Sequence, residues 1–190
     1  MTAARLAFEL PRAAVGCATV VLIVLGLVAE AADSIYTSIR RADCRPPPAD
    51  LERAFADKDL GVQECPAPAD WHLLFVASHA NSWLELRRHD FSWSGEDAIV
   101  YERPIGLFPN VGGSPVVEWR RDAHGRPHAL IFGVVAQDRA DPVKRVSRLF
   151  VVRLGQEGAC VIGRVTTNEA ARTLADSPLM CSGPRELPRN

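Results

Sequence analysis

Between Trp71 and Val165 the hydrophobic residues recur in short runs and period-two alternations, the spacing of β-strands rather than helices. The stretch "WHLLFVA" (71–77) is apolar on both faces and predicts a central strand. "SWLELRR" (82–88) alternates, with Leu84 and Leu86 facing inward and Glu85 and Arg87 outward. "AIVYE" (98–102) is a further strand candidate. In "SPVVEWRRD" (114–122), Val117 and Trp119 share one face and Val116, Glu118 and Arg120 the other. "DAHGR" then breaks the pattern, with Gly125 suited to the positive-φ position of a tight turn. "PHALIFGVVAQD" (127–138) returns from it, predicting a β-hairpin. "RADPVKR" is the next loop, "VSRLFVVRL" (146–154) the next strand, "GQEG" a turn and "ACVIGRV" (159–165) the last strand.

Helical patterns flank this region. In "LERAFADKDLG" (51–61), Asp50 is placed to cap the start, Leu51, Ala54 and Phe55 form an apolar stripe, and Gly61 supplies a stop. Near the C-terminus Asn168 is placed as an N-cap with Glu169 in the first turn. Ala171, Leu174 and Ala175 then share one face, and Pro178 ends the helix. No helix separates the strands, so the sheet is expected to be antiparallel. The prediction is an α+β fold: six to eight antiparallel strands, meander or sandwich-like, with one short helix before them and one after. Residues 32–49, with Pro46, Pro47 and Pro48, read as an extended linker. Residues 50–182 read as a single domain, which the 190-residue length also favours, and 183–190 as a tail.

The N-terminus has a different character. Arg5 and Arg12 precede a charge-free run from Ala13 to Ala29, and Ala29-Glu30-Ala31 follows as a small-x-small cleavage pattern. Residues 1–31 therefore read as a cleaved signal peptide or a retained membrane anchor. The flanking arginines place the rest of the chain outside in either case. Cys17 belongs to this leader, because its apolar run follows rather than precedes it, the reverse of a lipoprotein signal. Four cysteines remain: Cys44, Cys65, Cys160 and Cys181. An even count in an exported chain reads as two disulfides; four cysteines allow three connectivities, of which pairing sequence neighbours joins Cys44 to Cys65 and Cys160 to Cys181. The competing four-cysteine zinc site wants closely spaced pairs, which the chain lacks.

Net charge is −1, so no nucleic-acid-binding surface is indicated. The pairs Arg40-Arg41, Arg87-Arg88 and Arg120-Arg121 are expected to be solvated.

Several stretches resemble an uncharacterised family of small exported proteobacterial proteins. They are Tyr36-Thr37 ahead of the first cysteine, Val117-Glu118-Trp119-Arg120, Gly125-Arg126-Pro127, and Ala171-Arg172 through Ala175-Asp176 between a cysteine-led strand and a last cysteine. The resemblance covers about two thirds of the exported chain. It implies the compartment and the fold, and no catalytic residues. The chain departs from it around Cys65, where "ECPAPADW" stands in place of a glycine-rich context.

The residues able to do chemistry form no recognisable motif. His124 and His128 are four apart but flank a turn, and His72 lies within a strand. His79 and His89 fall in loops near Ser78, Asn81, Asp90 and Ser92. No nucleophile elbow, zinc-protease helix or phosphate loop occurs. "NVGGSP" (110–115) is a glycine-rich loop suited to a close ligand approach or to a plain connection. Among Trp71, Trp83, Trp93 and Trp119, the last is expected in the core and Trp93 is the best candidate for exposure. No cofactor or metal is expected. The reading favours a non-catalytic periplasmic or secreted module that binds an envelope protein or cell-wall component, touching the membrane only through its N-terminal segment. The alternatives are an envelope hydrolase built on His79, His89 and Asp90, and a membrane-tethered structural protein.

Overall fold

The computed structural model describes residues 33–89, 91–102, 104–155 and 158–181. The leader with Cys17, the turn residues 156–157, Asp90 and the tail lie outside the described residues. Among the described residues, ten strands form two antiparallel sheets. The strands are β1 (Ser34–Ser38), β2 (Gly61–Cys65), β3 (His72–Ala77), β4 (Ser82–Arg88), β5 (Phe91–Ser94), β6 (Leu107–Val111), β7 (Val116–Arg121), β8 (Pro127–Gln137), β9 (Arg145–Leu154) and β10 (Ala159–Val165). Two eight-residue helices accompany them, α1 (Ala49–Ala56) and α2 (Asn168–Ala175). The α+β expectation holds, with the sheet divided in two.

The smaller sheet is the meander β2-β3-β4-β5. The larger has the order β1-β7-β8-β9-β10, with β6 pairing the far half of β8 beyond β7. Alternation explains the layers. Leu84 and Leu86 turn toward the larger sheet and join Val117, Trp119, Leu130, Phe132, Phe150 and Val152 in one apolar cluster. On the reverse face of the larger sheet, Ala129, Ile131 and Val151 pack against Ala171 and Ala175 of α2. The result is three layers: small sheet, large sheet, C-terminal helix. Ala171 and Ala175 are wholly buried, and only side chains this small let the helix lie close on the sheet.

Two disulfides staple the ends, Cys44–Cys65 at the start of the small sheet and Cys160–Cys181 across β10 and the segment after α2. Each spans 21 residues, a loop worth about 3 kcal/mol in the chain-entropy model. A helix as short as α2 does not persist alone in water, so the second bridge and the sheet contacts together hold it. The two bridges are consistent with an exported protein. No helix among the described residues is long and apolar enough to cross a membrane.

Several local expectations are corrected. "AIVYE" is not a strand. Residues Asp97–Tyr101 form a π-helical turn, closed by Glu102 N–H donating to the Asp97 carbonyl, and Ile99 is buried within it. The expected linker contributes β1, whose main chain pairs with β7 from Ser34↔Arg120 to Ser38↔Val116. Asp50 lies inside the first turn of α1 rather than at its cap, which is Pro48. Gly61 opens β2 instead of ending the helix, and the reversal falls at Asp59, with φ 59°. The cap of α2 is Thr167, whose hydroxyl accepts from Ala170 N–H, so Asn168 is the first helical residue. β6 carries Pro109, tolerated because β6 is an edge strand.

Candidate functional site

The histidines disperse. His79 sits on the β3–β4 turn, 3.6 Å from the Asp59 carboxylate, and His89 on the β4–β5 turn, 2.9 Å from Asp70. They occupy opposite ends of β4, a seven-residue strand roughly 23 Å long. Each has its own exposed carboxylate partner. His124 is exposed at the β7–β8 turn, while His128 on β8 lies 3.5 Å from Asp176. His72 Nδ1 donates to Glu64 Oε1 at 2.6 Å, and Arg45 approaches the other oxygen at 3.1 Å. Burial raises the Glu64 pKa, but the His72 hydrogen bond and the Arg45 charge outweigh it and hold the carboxyl below its ordinary value. Among the described residues no group of three or more His, Cys, Asp or Glu side chains is arranged to hold a metal ion.

The glycine-rich loop serves packing. Gly112 N–H donates to the Gly133 carbonyl, and a Cβ on Gly133 would stand 2.3 Å from the Gly112 oxygen. The loop lets two backbones approach each other, with Gly113 at φ 83° making the turn.

Ser34, Tyr36, Glu118, Arg120, Arg172 and Asp176 converge although they come from β1, β7 and the C-terminal helix with its cap. Glu118 and Arg120 face α2 rather than solvent, and both are buried. Arg172 on α2 donates to both Glu118 oxygens, at 2.8 and 3.1 Å, and to the Tyr36 hydroxyl at 2.9 Å. Arg120 donates to both Asp176 oxygens, at 3.1 and 2.5 Å, and to Ser34 Oγ at 2.7 Å. Ser34 Oγ in turn donates to Glu118 at 2.6 Å. On the opposite face of β7, the Trp119 indole N–H donates to Thr37 Oγ1 at 2.9 Å. The geometry has a simple origin. Four residues of helix advance about 6 Å and two residues of strand about 6.6 Å, so Arg172 and Asp176 stand over Glu118 and Arg120 with opposite charges matched. Arg153 adds a third tie, donating to the carbonyls of Ser177 and Leu179. The expectation of a solvated Arg120 is thus overturned: α2 covers it together with Glu118. Every charge in this cluster has a partner, so it locks α2, β1 and β7 together.

An open recess lies elsewhere among the described residues, on the outer face of the small sheet. The β3–β4 register puts Trp83, Glu85 and Arg87 on the face opposite Leu84 and Leu86. Leu51, Ala54 and Phe55 of α1, with Lys58 just beyond it, form one wall over them, and Val100 and Tyr101 of the π-helical turn, with Glu96 just before it, form the other. Ser78 and Asn81 close one end. The groove measures about 450 Å³, within the usual range for ligand sites. Trp83 is buried in its floor, whereas Tyr101 stands 66% exposed on the rim. The Arg87 guanidinium lies 5.9 Å from the Phe55 ring and 3.7 Å from Glu85. The Tyr101 hydroxyl donates to Glu96 at 3.4 Å, and the Glu96 charge holds the phenol above its ordinary pKa. Trp93, expected at the surface, is half-buried and packs against the core on the inner face of the same sheet.

Sequence reading missed the groove because α1 and the π-helical turn are far apart in the chain and meet only across β4. The outward Glu85 and Arg87 were the visible signal. Comparison of the chain with protein-family models, curated proteins and solved structures finds no match.

Proposed function

We propose that this protein is an exported, non-catalytic binding or accessory module of the cell envelope, and that the groove between α1 and the π-helical turn is its binding face. The observation that carries this reading is the groove's composition. Aromatic side chains from three separate elements, Phe55, Trp83 and Tyr101, line one recess together with charged side chains. Recognition sites combine an apolar lining with a few placed polar groups in this way. None of the five histidines lines this recess. The ion-pair cluster beneath α2 supports the same reading, since its charges are spent on one another and stiffen the scaffold behind the groove.

In this reading the N-terminal segment delivers the domain across the membrane, and the disulfides form there. Two experiments test it. Mass spectrometry of the protein from the envelope fraction should find an N-terminus near Ala32; an intact leader would turn the reading toward a tethered form. Affinity capture from envelope extract with the oxidised protein should recover a stoichiometric partner that Tyr101→Ser loses and Glu169→Gln, on the far face, retains. A partner captured equally by both variants would remove the groove from the proposal.

A further inference from the structure

The edges of the two sheets are not equally protected. An edge strand presents unpaired N–H and C=O groups, and folds guard such edges with charge, proline, bulges, short length or a covering segment. At β2, Arg45 and Glu64 exchange both backbone hydrogen bonds, and the Cys44–Cys65 bridge lies beside them. β5 has only four residues. β6 carries Pro109, and the Asn110 side chain donates to the Phe108 and Ala80 carbonyls. β10 is broken by a bulge between Val161 and Gly163, and its Cys160 is bonded to Cys181. β1 has no such device within it. Its residues, Ser34-Ile35-Tyr36-Thr37-Ser38, include no charge, proline or glycine, and they run in unbroken register along β7. Among the described residues no strand pairs the other side of β1.

The hydrogen bonds to β7 show which groups face outward. Arg121 N–H donates to the Asp33 carbonyl, and Ile39 N–H donates to the Pro115 carbonyl. Alternation then turns the odd-numbered positions toward β7 and leaves the N–H and C=O groups of Ser34, Tyr36 and Ser38 on the free edge. The Ser34 N–H is held by Asp33 Oδ1. Tyr36, at the centre, is 52% exposed. The strand is fixed in place by three side-chain hydrogen bonds, Ser34 to Glu118, Tyr36 to Arg172 and Thr37 to Trp119.

We infer that β1 pairs antiparallel with β1 of a second copy of this chain, about a two-fold axis at Tyr36, joining two larger sheets edge to edge. The strand is nearly its own reverse. Pairing centred on Tyr36 sets Ser34 opposite Ser38, Ile35 opposite Thr37 and Tyr36 opposite its copy. Aromatic and β-branched residues are favourable partners across strands. The outward groups of all three even-numbered positions meet in this register, and both copies offer the same surface, as a two-fold interface requires. Charge agrees with the direction. Antiparallel pairing brings the Asp33 end of one strand to the exposed Arg40-Arg41 end of the other, whereas parallel pairing would set like charges together. An unrelated extended segment would find hydrogen bonds at this edge but none of these matches. The groove lies on the other sheet, so this inference and the groove reading stand or fall separately.

The test is sedimentation equilibrium of the oxidised protein isolated from the envelope fraction. A reversible monomer–dimer equilibrium should appear between about 1 μM and about 1 mM protein. Tyr36→Pro removes an outward N–H that β7 does not use, so the fold tolerates it and only the edge is blocked. It should raise the dimer dissociation constant by about tenfold or more, and Tyr36→Lys, which sets two like charges across the axis, should do the same. Tyr36→Phe loses the Arg172 hydrogen bond but keeps the edge, and should dimerise like the parent, as should Glu169→Gln. Circular dichroism and a thermal melt check that each variant is folded. Cross-linking reads the register directly. The two Cα atoms of a hydrogen-bonded pair stand about 5.5 Å apart, within disulfide reach. Tyr36→Cys should therefore give a covalent dimer on mild oxidation, and Val143→Cys, 92% exposed on the β8–β9 loop, should not. A monomer across the whole concentration range overturns the inference. So does a dimer that survives both Tyr36→Pro and Tyr36→Lys, or cross-linking of Val143→Cys as ready as that of Tyr36→Cys. If the protein stays monomeric but Tyr36→Pro loses a partner captured from envelope extract, the edge receives a strand of a different protein and self-pairing is wrong.

Discussion

Replacing Glu118 with alanine removes the acceptor on which Arg172 depends. Arg172 donates to both Glu118 oxygens, and Ser34 donates to one of them. Breaking a buried, hydrogen-bonded ion pair from one side costs about 3–5 kcal/mol, because the surviving charge is left desolvated. The lower end applies here. The Glu118 side chain is 8% exposed but Arg172 is 43% exposed and regains water, while Arg120 keeps both Asp176 oxygens. The expected loss is about 3 kcal/mol. With a urea m-value of about 2 kcal/mol/M, the midpoint should fall by about 1.5 M. Glu118→Gln keeps the shape and part of the hydrogen bonding, and should lose less. In a double-mutant cycle with Arg172→Ala, the paired loss should be smaller than the sum of the single losses by more than 1 kcal/mol. Urea titration of the oxidised protein, followed by tryptophan fluorescence, measures all four forms. A loss below 1 kcal/mol for Glu118→Ala, or additive single losses, would refute the claim that this cluster holds α2 to the sheet, since exposed pairs are worth no more than that.

Removing the second bridge with Cys160→Ser and Cys181→Ser should cost about 3 kcal/mol and open the C-terminal segment to proteolysis first, a result that limited proteolysis with mass spectrometry reads directly. Gly133→Ala should destabilise by about 2–3 kcal/mol, because its methyl would press on the Gly112 carbonyl of the neighbouring backbone, which has no flexible side chain to yield; a thermal melt of the variant checks this. Glu64 gives a signed pH dependence. Its folded-state pKa lies below the unfolded value, so its contribution is present at neutral pH and is lost as pH falls through the folded value. Glu64→Gln should therefore be less stable than the parent at pH 7, and the gap should close under acid conditions below about pH 4. Stability measured across that range with urea tests both the sign and the window.

The periodicity of single segments made much of the fold legible. "WHLLFVA", "SWLELRR" and the 116–137 hairpin form strands where period two and a Gly125 turn require them. Trp119, alternating with Val117, lies in the core as expected. Both disulfides join sequence neighbours. The failures share a cause. "AIVYE" has the composition of a strand, but with Gly95 already bonded to the Leu84 carbonyl, the chain turns at the end of β5 and closes on itself. "IYTS" is too short to declare itself, and becomes a strand because β7 offers it an unpaired edge. Glu118 and Arg120 look like surface residues until a helix fifty residues later brings opposite charges to the same spacing. That match was written in the chain, Glu-x-Arg against Arg-x-x-x-Asp, but it acquires meaning only once α2 is known to cross β7.

What the chain alone determined was local: strand and helix periods, turn positions, four cysteines able to oxidise, and the class of fold these allow. Those follow from backbone stereochemistry and side-chain spacing within a few residues. What only the tertiary structure decided was which polar faces are covered and where a recess remains. Such facts depend on contacts between elements distant in sequence, as where α1 and the π-helical turn stand on either side of β4 and α2 lies across β7.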